Sequence, residues 1–446
     1  MQSSVGGIRL LIWVYFWLLL GEGALRKWIF PSLSGPLLIV RDPVLLAIYA
    51  MALAQGVFPL NRLVRTTIIL GVVSALASLC VFDHVGVILY GFRTNFLHLP
   101  LIFLIPKVFH REDVNRIGRC LLLVAMPMTF LVVLQFVSPA GARINAAAGG
   151  DLNGQLYAGG SHIRPPGVFS FVNGMVAFLS VVAAFLLGGY FEKRSMLAWL
   201  RMAALPCLIL SLAVSGSRSA VLSVTITAAS VLIVCLRNLS RFRRVLAPAV
   251  LGYLAFLGLS LLPLVQEGLE VQQERFESGG GVQEGIVARY LGTFGLSIEV
   301  AGRVPLLGLG LGIGTNAGAA LLTGSRTFLI AESEWPRVIA ESGPILGYAY
   351  LLLRLWIFWF LLRRAWKALK QGQSLPLFLA VAAGVDLVSG QFGQPTTLGF
   401  AVFTAGLSLA SIGPTGSASA PPIESSVKRR IRGRSRVAEA ILAAGA

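Results

Sequence analysis

Three carboxylates and an arginine crowd the stretch from Ala331 to Gly347, just ahead of an apolar run. Glu334, Arg337 and Glu341 stand at i, i+3 and i+7 and so share one helical face, with Glu332 immediately upstream. A carboxylate in such a group serves as a general base when burial or a neighbouring arginine tunes it. The same residues also fit a local ion-pair network, and the sequence leaves both readings open.

A second group lies where one apolar run gives way to the next, in Ser215-Gly216-Ser217-Arg218-Ser219-Ala220. An arginine at the mouth of two helices grips phosphate with a planar fork that never loses its charge, or simply snorkels to the interface. Gly216 permits a tight backbone, and Ser219 is placed to cap the next helix. Arg164 precedes a Pro-Pro helix start, beside the weak candidate base His162, with Asn173 and Gly174 a turn or two into the following run. Farther along, Arg289-Tyr290 opens an amphipathic stretch. Glycines 308, 310, 312 and 314 then alternate with apolar residues after Pro305. Without a βαβ context this is no dinucleotide fingerprint. Either it is a turn whose backbone N–H groups, at Gly310 and Gly312 among others, face an anion, or it is a close-packing surface for helices. Glu22, Arg26, Lys27, Arg41 and Asp42 form a further group, with Glu22 and Arg26 spaced for an ion pair. Arg93, Arg354 and Asp386 fall within or beside apolar runs and need partners or water.

The chain that must position these residues has 446 residues, 56% hydrophobic and 13% charged. Soluble domains carry about 25% charged residues, so a soluble globular enzyme and a disordered protein are both excluded. Apolar runs of about 20 residues recur throughout, the signature of a polytopic membrane protein. The expected fold is all-α. About twelve transmembrane helices are expected near 8–24, 36–59, 66–82, 85–106, 117–138, 166–189, 202–214, 219–236, 245–264, 343–362, 375–391 and 396–412. The run 202–214 is short and contains Pro206. The first run lacks a small-residue cleavage site and reads as a retained helix. Cys80, Cys120, Cys207 and Cys235 all lie in apolar runs, in no metal or disulfide pattern. There is no phosphate loop, zinc pair or serine elbow, so neither metal nor cofactor is expected.

Net charge is +18, from 37 basic and 19 acidic residues. In a soluble protein that excess suggests nucleic acid; here the positive-inside rule accounts for it. With the N-terminus in the cytoplasm, 24 of the 37 basic residues fall in short cytoplasmic segments and 12 outside, with Arg354 inside a span. Both termini are therefore expected in the cytoplasm. Fourteen of the 19 acidic residues lie outside or at membrane depth, which points to chemistry or salt bridging on that face. Two outer segments, 138–165 and 264–343, are too long for turns. The larger is expected to form short amphipathic helices at the outer membrane boundary, covering a cavity. Residues 1–412 read as one transmembrane domain, with the candidate active site in 264–343. Residues 413–446 read as a disordered basic cytoplasmic tail near anionic lipid.

In this order the motifs resemble the O-antigen ligase and O-antigen polymerase superfamily. Arg164 precedes the middle span, S-G-S-R marks a short outer turn, and the long outer loop carries a lone arginine followed by P-L-L-G-L-G-L-G. E-S-G-P-I-L-G then leads into a helix, so that the resemblance runs from about Arg164 to Gly347. It implies a mainly helical membrane glycosyltransferase that takes an undecaprenyl-diphosphate-linked glycan as donor and needs no metal. It further implies outer-face arginines that hold the diphosphate, matched here by Arg218, Arg289 and Arg164. Ligases of the family usually carry a histidine nine residues before the Glu of the E-x-G turn. That position here is Glu332, followed by Ser333. The expectation is therefore a polymerase of O-antigen, capsule or exopolysaccharide repeats in the bacterial cytoplasmic (inner) membrane, active on the periplasmic or exterior side. Glu332 or Glu334 takes the base role, and Arg337, Gly310 and Gly312 join the three arginines in binding substrate. Membrane lipid and other polysaccharide-assembly membrane proteins are the expected partners, and nucleic acid is not. A ligase transferring glycan to a lipid or protein acceptor is the alternative. A transporter or flippase is the third reading, although no repeat relates the two halves.

Overall fold

The computed structural model describes residues 2–159, 162–192, 197–237, 242–278, 281–324, 329–331 and 333–413, with backbone alone at 2–4, 242–245, 247 and 281–291. Apolar runs satisfy their backbone groups internally as helices, and the described residues are mainly helical. Among them seven helices are long and apolar enough to cross a membrane: Val5–Ile29, Pro31–Ala54, Arg62–Leu79, Arg111–Val137, Val172–Phe191, Arg218–Arg237 and Glu334–Lys370. Two bent pairs, Val85–Leu97 with Leu101–Val108 (46°) and Pro248–Ser260 with Pro263–Glu277 (101°), raise the number to nine if each pair is one span.

Each of the twelve expected runs contains a helix, but helix length does not support twelve spans. Ala198–Ala213, Leu375–Ser389 and Pro395–Ala410 have only 16, 15 and 16 residues. The last two are buried on nearly every side. Hydropathy does not separate a span from a core helix of that length. Local signals set several boundaries. The Asn61 side chain accepts from the Val64 N–H at 2.9 Å, an N-cap. His110 and Asp113 form a reciprocal capping box ahead of the helix Arg111–Val137.

Val172–Phe191 is the central helix, buried along almost its whole length and packed on helices Arg218–Arg237, Leu375–Ser389 and Pro395–Ala410. Its two ends define the two ends of the bundle, about 30 Å apart for 20 residues. Near its start, Asn173 Nδ2 donates to Gln391 Oε1 at 3.2 Å. Just past its finish, Glu192 pairs with Arg111 and accepts the N–H groups of Ser374 and Leu375 at 2.6 and 3.0 Å.

The segment 138–165 is not purely irregular. Tyr157–Gly159 pairs antiparallel with His162–Ile163. The segment 264–343 holds helices Pro263–Glu277, Gly281–Arg303 and Asn316–Thr323. The second of these has 23 residues, longer than the short helices expected. Glu334–Lys370 is not one rod: Gly343 (φ 75°, ψ 169°) breaks it. Gly347 packs against Ile339, eight positions back, so the arm 334–342 doubles back along the arm 344–370. Residues Met1–Ile412 form one compact unit and Gly413–Ala446 a second. Apart from Gly413, the tail expected at 413–446 lies outside the described residues.

Candidate functional site

The break at Gly343 strips two carbonyls of their helical donors. Pro344 has no N–H to return to Ala340 O, and the non-helical backbone of Gly343 removes the next. The glycine-rich segment supplies replacements: Leu309 N–H donates to Ala340 O at 2.8 Å and Gly310 N–H to Glu341 O at 3.0 Å. Gly308 and Gly343 both have left-handed φ (76° and 75°), and a Cβ on either would collide with the other's backbone. Only glycine fits that crossing. Leu311 N–H donates to Ser78 Oγ at 3.0 Å, and Gly314 N–H to Glu341 Oε1 at 2.9 Å. The N–H groups of Leu309, Gly310, Leu311 and Gly314 are thus engaged within the protein. Gly312 packs on Gly91, and its carbonyl accepts from the Thr315 N–H and Oγ1 at 3.1 and 2.7 Å.

The doubled-back arm carries a buried charge network. Arg337 grips both oxygens of Glu334, with Nε to Oε2 at 3.1 Å and Nη2 to Oε1 at 3.0 Å. Its Nη1 donates to Glu341 Oε2 at 2.7 Å, and Nη2 also donates to Asn95 Oδ1 at 3.2 Å. Arg354 Nη1 adds a bond to Glu334 Oε1 at 2.6 Å. The remaining Arg354 donors go to the carbonyls of Leu387, Asp386 and Gly390, and its guanidinium lies 3.7 Å from the centroid of the Phe392 ring. All four charged side chains are at most 5% exposed. Two carboxylates balance two guanidinium groups, which a buried network needs to offset the cost of desolvation. Beside it opens a small cleft of about 20 Å³, lined by Thr315, Asn316, Glu334, Arg337, Gln391 and Gln394 among others.

Asn95 lies on a π-helical turn, Arg93–Leu97, that also carries Arg93. Such turns cluster at functional sites. Arg93 Nε donates to Asp42 Oδ2 at 2.5 Å, Asp42 Oδ1 meets His98 Nε2 at 3.2 Å, and His98 Nδ1 meets the Tyr15 hydroxyl at 3.0 Å. Glu22 bridges Arg26 at 3.4 Å, as its spacing predicts, and Arg41 at 2.9 Å. Arg41 Nη2 reaches Pro395 O at 2.6 Å, close in sequence to the cleft residue Gln394. A second π-helical turn, Leu25–Ile29, buries Lys27, whose ammonium donates to Gly167 O at 2.9 Å.

The S-G-S-R turn forms a separate part of the same unit. Gly216 (φ 53°) lies against Ala158 of the strand pair, and Val271 packs on both Gly216 and Gly159. The helix start is capped by Ser217, whose Oγ accepts the Ala220 N–H at 3.4 Å, and not by Ser219. Arg218 opens that helix half-buried, and its side chain forms no hydrogen bond or ion pair with any described residue. Arg164 is half-buried too, with Nε on Tyr157 O at 3.0 Å. His162 has both ring nitrogens engaged, at Phe136 O and Glu267 Oε1 (3.0 and 2.9 Å), and stacks on Phe136. Helix Pro263–Glu277 roofs this turn. On it Gln272 is 7% exposed, with neither polar atom of its carboxamide hydrogen-bonded.

The structure therefore joins Glu334, Arg337, Gly310 and Gly312 in one assembly, and sets Arg164 near the S-G-S-R turn. Glu332 lies outside the described residues, and Arg289 is described only as backbone within Gly281–Arg303. Asn95, Tyr15, His98, Gln272, Asn316, Gln391 and Gln394 escaped the sequence reading. Each is a single polar residue without a periodic partner, and polarity inside or beside an apolar run was the only available signal. Among the described residues no three His, Cys, Asp or Glu side chains converge as a metal site would require. No protein-family model and no curated protein matches the chain.

Proposed function

We propose that the protein is a membrane glycosyltransferase that polymerises undecaprenyl-diphosphate-linked oligosaccharide repeats of O-antigen, capsule or exopolysaccharide. It would act at the outer face of the bacterial cytoplasmic membrane. One observation carries the reading: the two segments on which the resemblance most depends touch. The P-L-L-G-L-G-L-G segment is hydrogen-bonded onto the E-S-G-P turn through Leu309 to Ala340 and Gly310 to Glu341. Separate motifs of a family are expected to meet where its chemistry is done. The topology that goes with this reading has both termini in the cytoplasm and the end bearing Glu334 turned outward, the three shorter apolar helices completing about twelve crossings.

In this mechanism Arg218, with Arg289 and Arg164, holds the diphosphate, for which a guanidinium fork is suited. An acceptor hydroxyl attacks the anomeric carbon of the donor sugar. The new carbon–oxygen bond forms as the bond from that carbon to the phosphate oxygen breaks. The electron pair stays on the lipid diphosphate, where the arginines stabilise the charge. The hydroxyl proton passes to a carboxylate. Glu334 has both oxygens held by arginines, so we assign it a positioning role and Glu332 the base.

The test is a gel profile of surface and lipid-linked glycans in a deletion strain complemented with wild type, Arg218→Ala or Arg289→Ala at matched membrane levels. Single repeats should accumulate in the deletion and in both variants and disappear with wild type. Long chains retained on the lipid carrier, and lost from their final acceptor only in the deletion, would select a ligase instead. Buried charges beside helix breaks also favour a transporter. Unchanged glycans in every strain, with altered solute uptake, would select that reading.

A further inference from the structure

We infer that the buried cations around the turn 25–40, Lys27 and Arg93 foremost, form a second site for a lipid-linked diphosphate, separate from Arg218. On the polymerase reading, on which this inference rests, its occupant is the acceptor. Polymerisation joins two lipid-linked glycans: the donor leaves its lipid diphosphate behind, and the acceptor keeps its own. Two diphosphates must therefore be held at once.

The turn 25–40 is built inside out. It joins helices Val5–Ile29 and Pro31–Ala54 near the start of the central helix, where Arg26 Nη1 donates to Ser170 Oγ at 3.2 Å and Lys27 Nζ to Gly167 O at 2.9 Å. Arg26 and Lys27 are buried, and so is Arg93 on its own π-helical turn, whereas Ile29, Phe30, Leu33 and Ile39 are exposed. A turn that faces water has the reverse pattern. Apolar side chains on the outside suit a hydrocarbon tail, and cations behind them suit an anionic head. The two arginines meet there: Arg26 Nε donates to Ser34 O at 2.9 Å and Arg93 Nη2 to Leu38 O at 3.2 Å. Carbonyls four positions apart on one helical turn are about 6 Å from each other.

Charge argues next. Among the described residues Glu22 serves Arg26 and Arg41, Asp42 serves Arg93, and no carboxylate lies within ion-pair distance of Lys27. The Lys27 ammonium has the Gly167 carbonyl and the face of the Trp28 ring, 4.3 Å away, but no counter-ion. Arg93 Nη1 and Ser34 Oγ are buried and donate to nothing. A water would give these donors an acceptor, yet it brings no negative charge. A buried cation without an anion is costly, and a diphosphate supplies both the charge and several acceptor oxygens. The Glu334 network, with two carboxylates for two guanidinium groups, has no such surplus.

The test counts radiolabelled undecaprenyl diphosphate bound to the detergent-purified full chain in excess phosphatidylglycerol. Wild type should bind two equivalents. Lys27→Met should lose one and Arg218→Ala the other, so that the double variant binds none. Lys27→Gln, which keeps a donor for Gly167 O, should behave as Lys27→Met and so separates the lost charge from a folding defect. Inorganic pyrophosphate, which lacks the tail, should need at least about tenfold more to displace the Lys27-dependent equivalent. The inference is overturned if wild type binds one equivalent, or if both Lys27 variants still bind two. Displacement of that equivalent by added phosphatidylglycerol would assign the site to a bulk lipid headgroup, and equal potency of pyrophosphate to free phosphate; either overturns it. Failure of the polymerase reading shows differently: two equivalents bind, yet no single repeats accumulate in the deletion strain.

Discussion

Arg354 donates to Glu334 at 2.6 Å although the two are twenty positions apart on one helical segment. A straight helix would hold such positions about 30 Å from each other. The ion pair exists because the chain reverses at Gly343. The reversal holds because the 308–314 segment takes up the carbonyls that the break exposes. Kink, glycine segment and charge network are therefore one structural unit.

Gly343→Ala tests that unit. The new Cβ would enter left-handed backbone and meet Leu306 O and Gly308 N. The expected cost is about 2–4 kcal/mol, seen as a lower apparent Tm of the detergent-solubilised chain. A variant that melts with wild type would refute the crossing of Gly308 and Gly343.

Breaking the pair from one side should be worse than removing it from both. Arg354→Met leaves Glu334 short of one buried cation, and Glu334→Gln leaves Arg354 and Arg337 short of one anion. Each is expected to cost about 3–5 kcal/mol. The double variant should cost less than the sum by at least about 1 kcal/mol, measured by unfolding at matched detergent concentration. Strict additivity would mean that the two residues do not share a network.

Arg218 should behave in the opposite way. Its side chain has no partner among the described residues, so Arg218→Ala should change stability by no more than about 0.5 kcal/mol. Glycan elongation should nevertheless fall by about 10²–10³-fold, the usual effect of removing one transition-state donor. Arg218→Lys should not rescue it, because a point charge does not reproduce the planar fork. Variants that lose stability along with activity would reassign Arg218 to the fold.

Lys27 separates stability from function in the other direction. Its ammonium is buried on Gly167 O, and that carbonyl also accepts from Gln135 Nε2 at 3.1 Å. Lys27→Met therefore orphans no acceptor and removes a buried charge. The apparent Tm should hold or rise, a change of about 0–2 kcal/mol. Activity lost at unchanged or higher Tm would place the ammonium at the substrate; a lower Tm would show it to be structural.

At the far end of the bundle, Glu192 pairs with Arg111 and accepts the first N–H groups of helix Leu375–Ser389. Glu192→Ala should cost about 1–3 kcal/mol through the lost pair and cap. Elongation per folded molecule should not change, because the site lies a helix length away. A per-molecule loss would couple the two ends.

What the sequence determined by itself is what periodicity controls. Apolar runs located the helices, since backbone in hydrocarbon has no other way to satisfy its hydrogen bonds. The i, i+3, i+7 spacing of Glu334, Arg337 and Glu341 already placed one network on one face, and the four-residue step from Glu22 to Arg26 foretold their pair, because 3.6 residues per turn sets those distances. Tertiary structure alone decided the rest. Arg354 as a partner of Glu334, Asn95 as a partner of Arg337, and the cleft between Asn316 and Gln394 all depend on where the chain turns back at Gly343. The use of the glycine N–H groups depends on it too: alternating glycines have no preferred acceptor until a proline four positions beyond Ala340 leaves its carbonyl without a donor. Helix length supports seven to nine spans among the described residues, and the sequence did not single out the three shorter apolar helices, for a related reason. Apolar composition says that a helix avoids water, but only packing says whether lipid or protein takes the water's place.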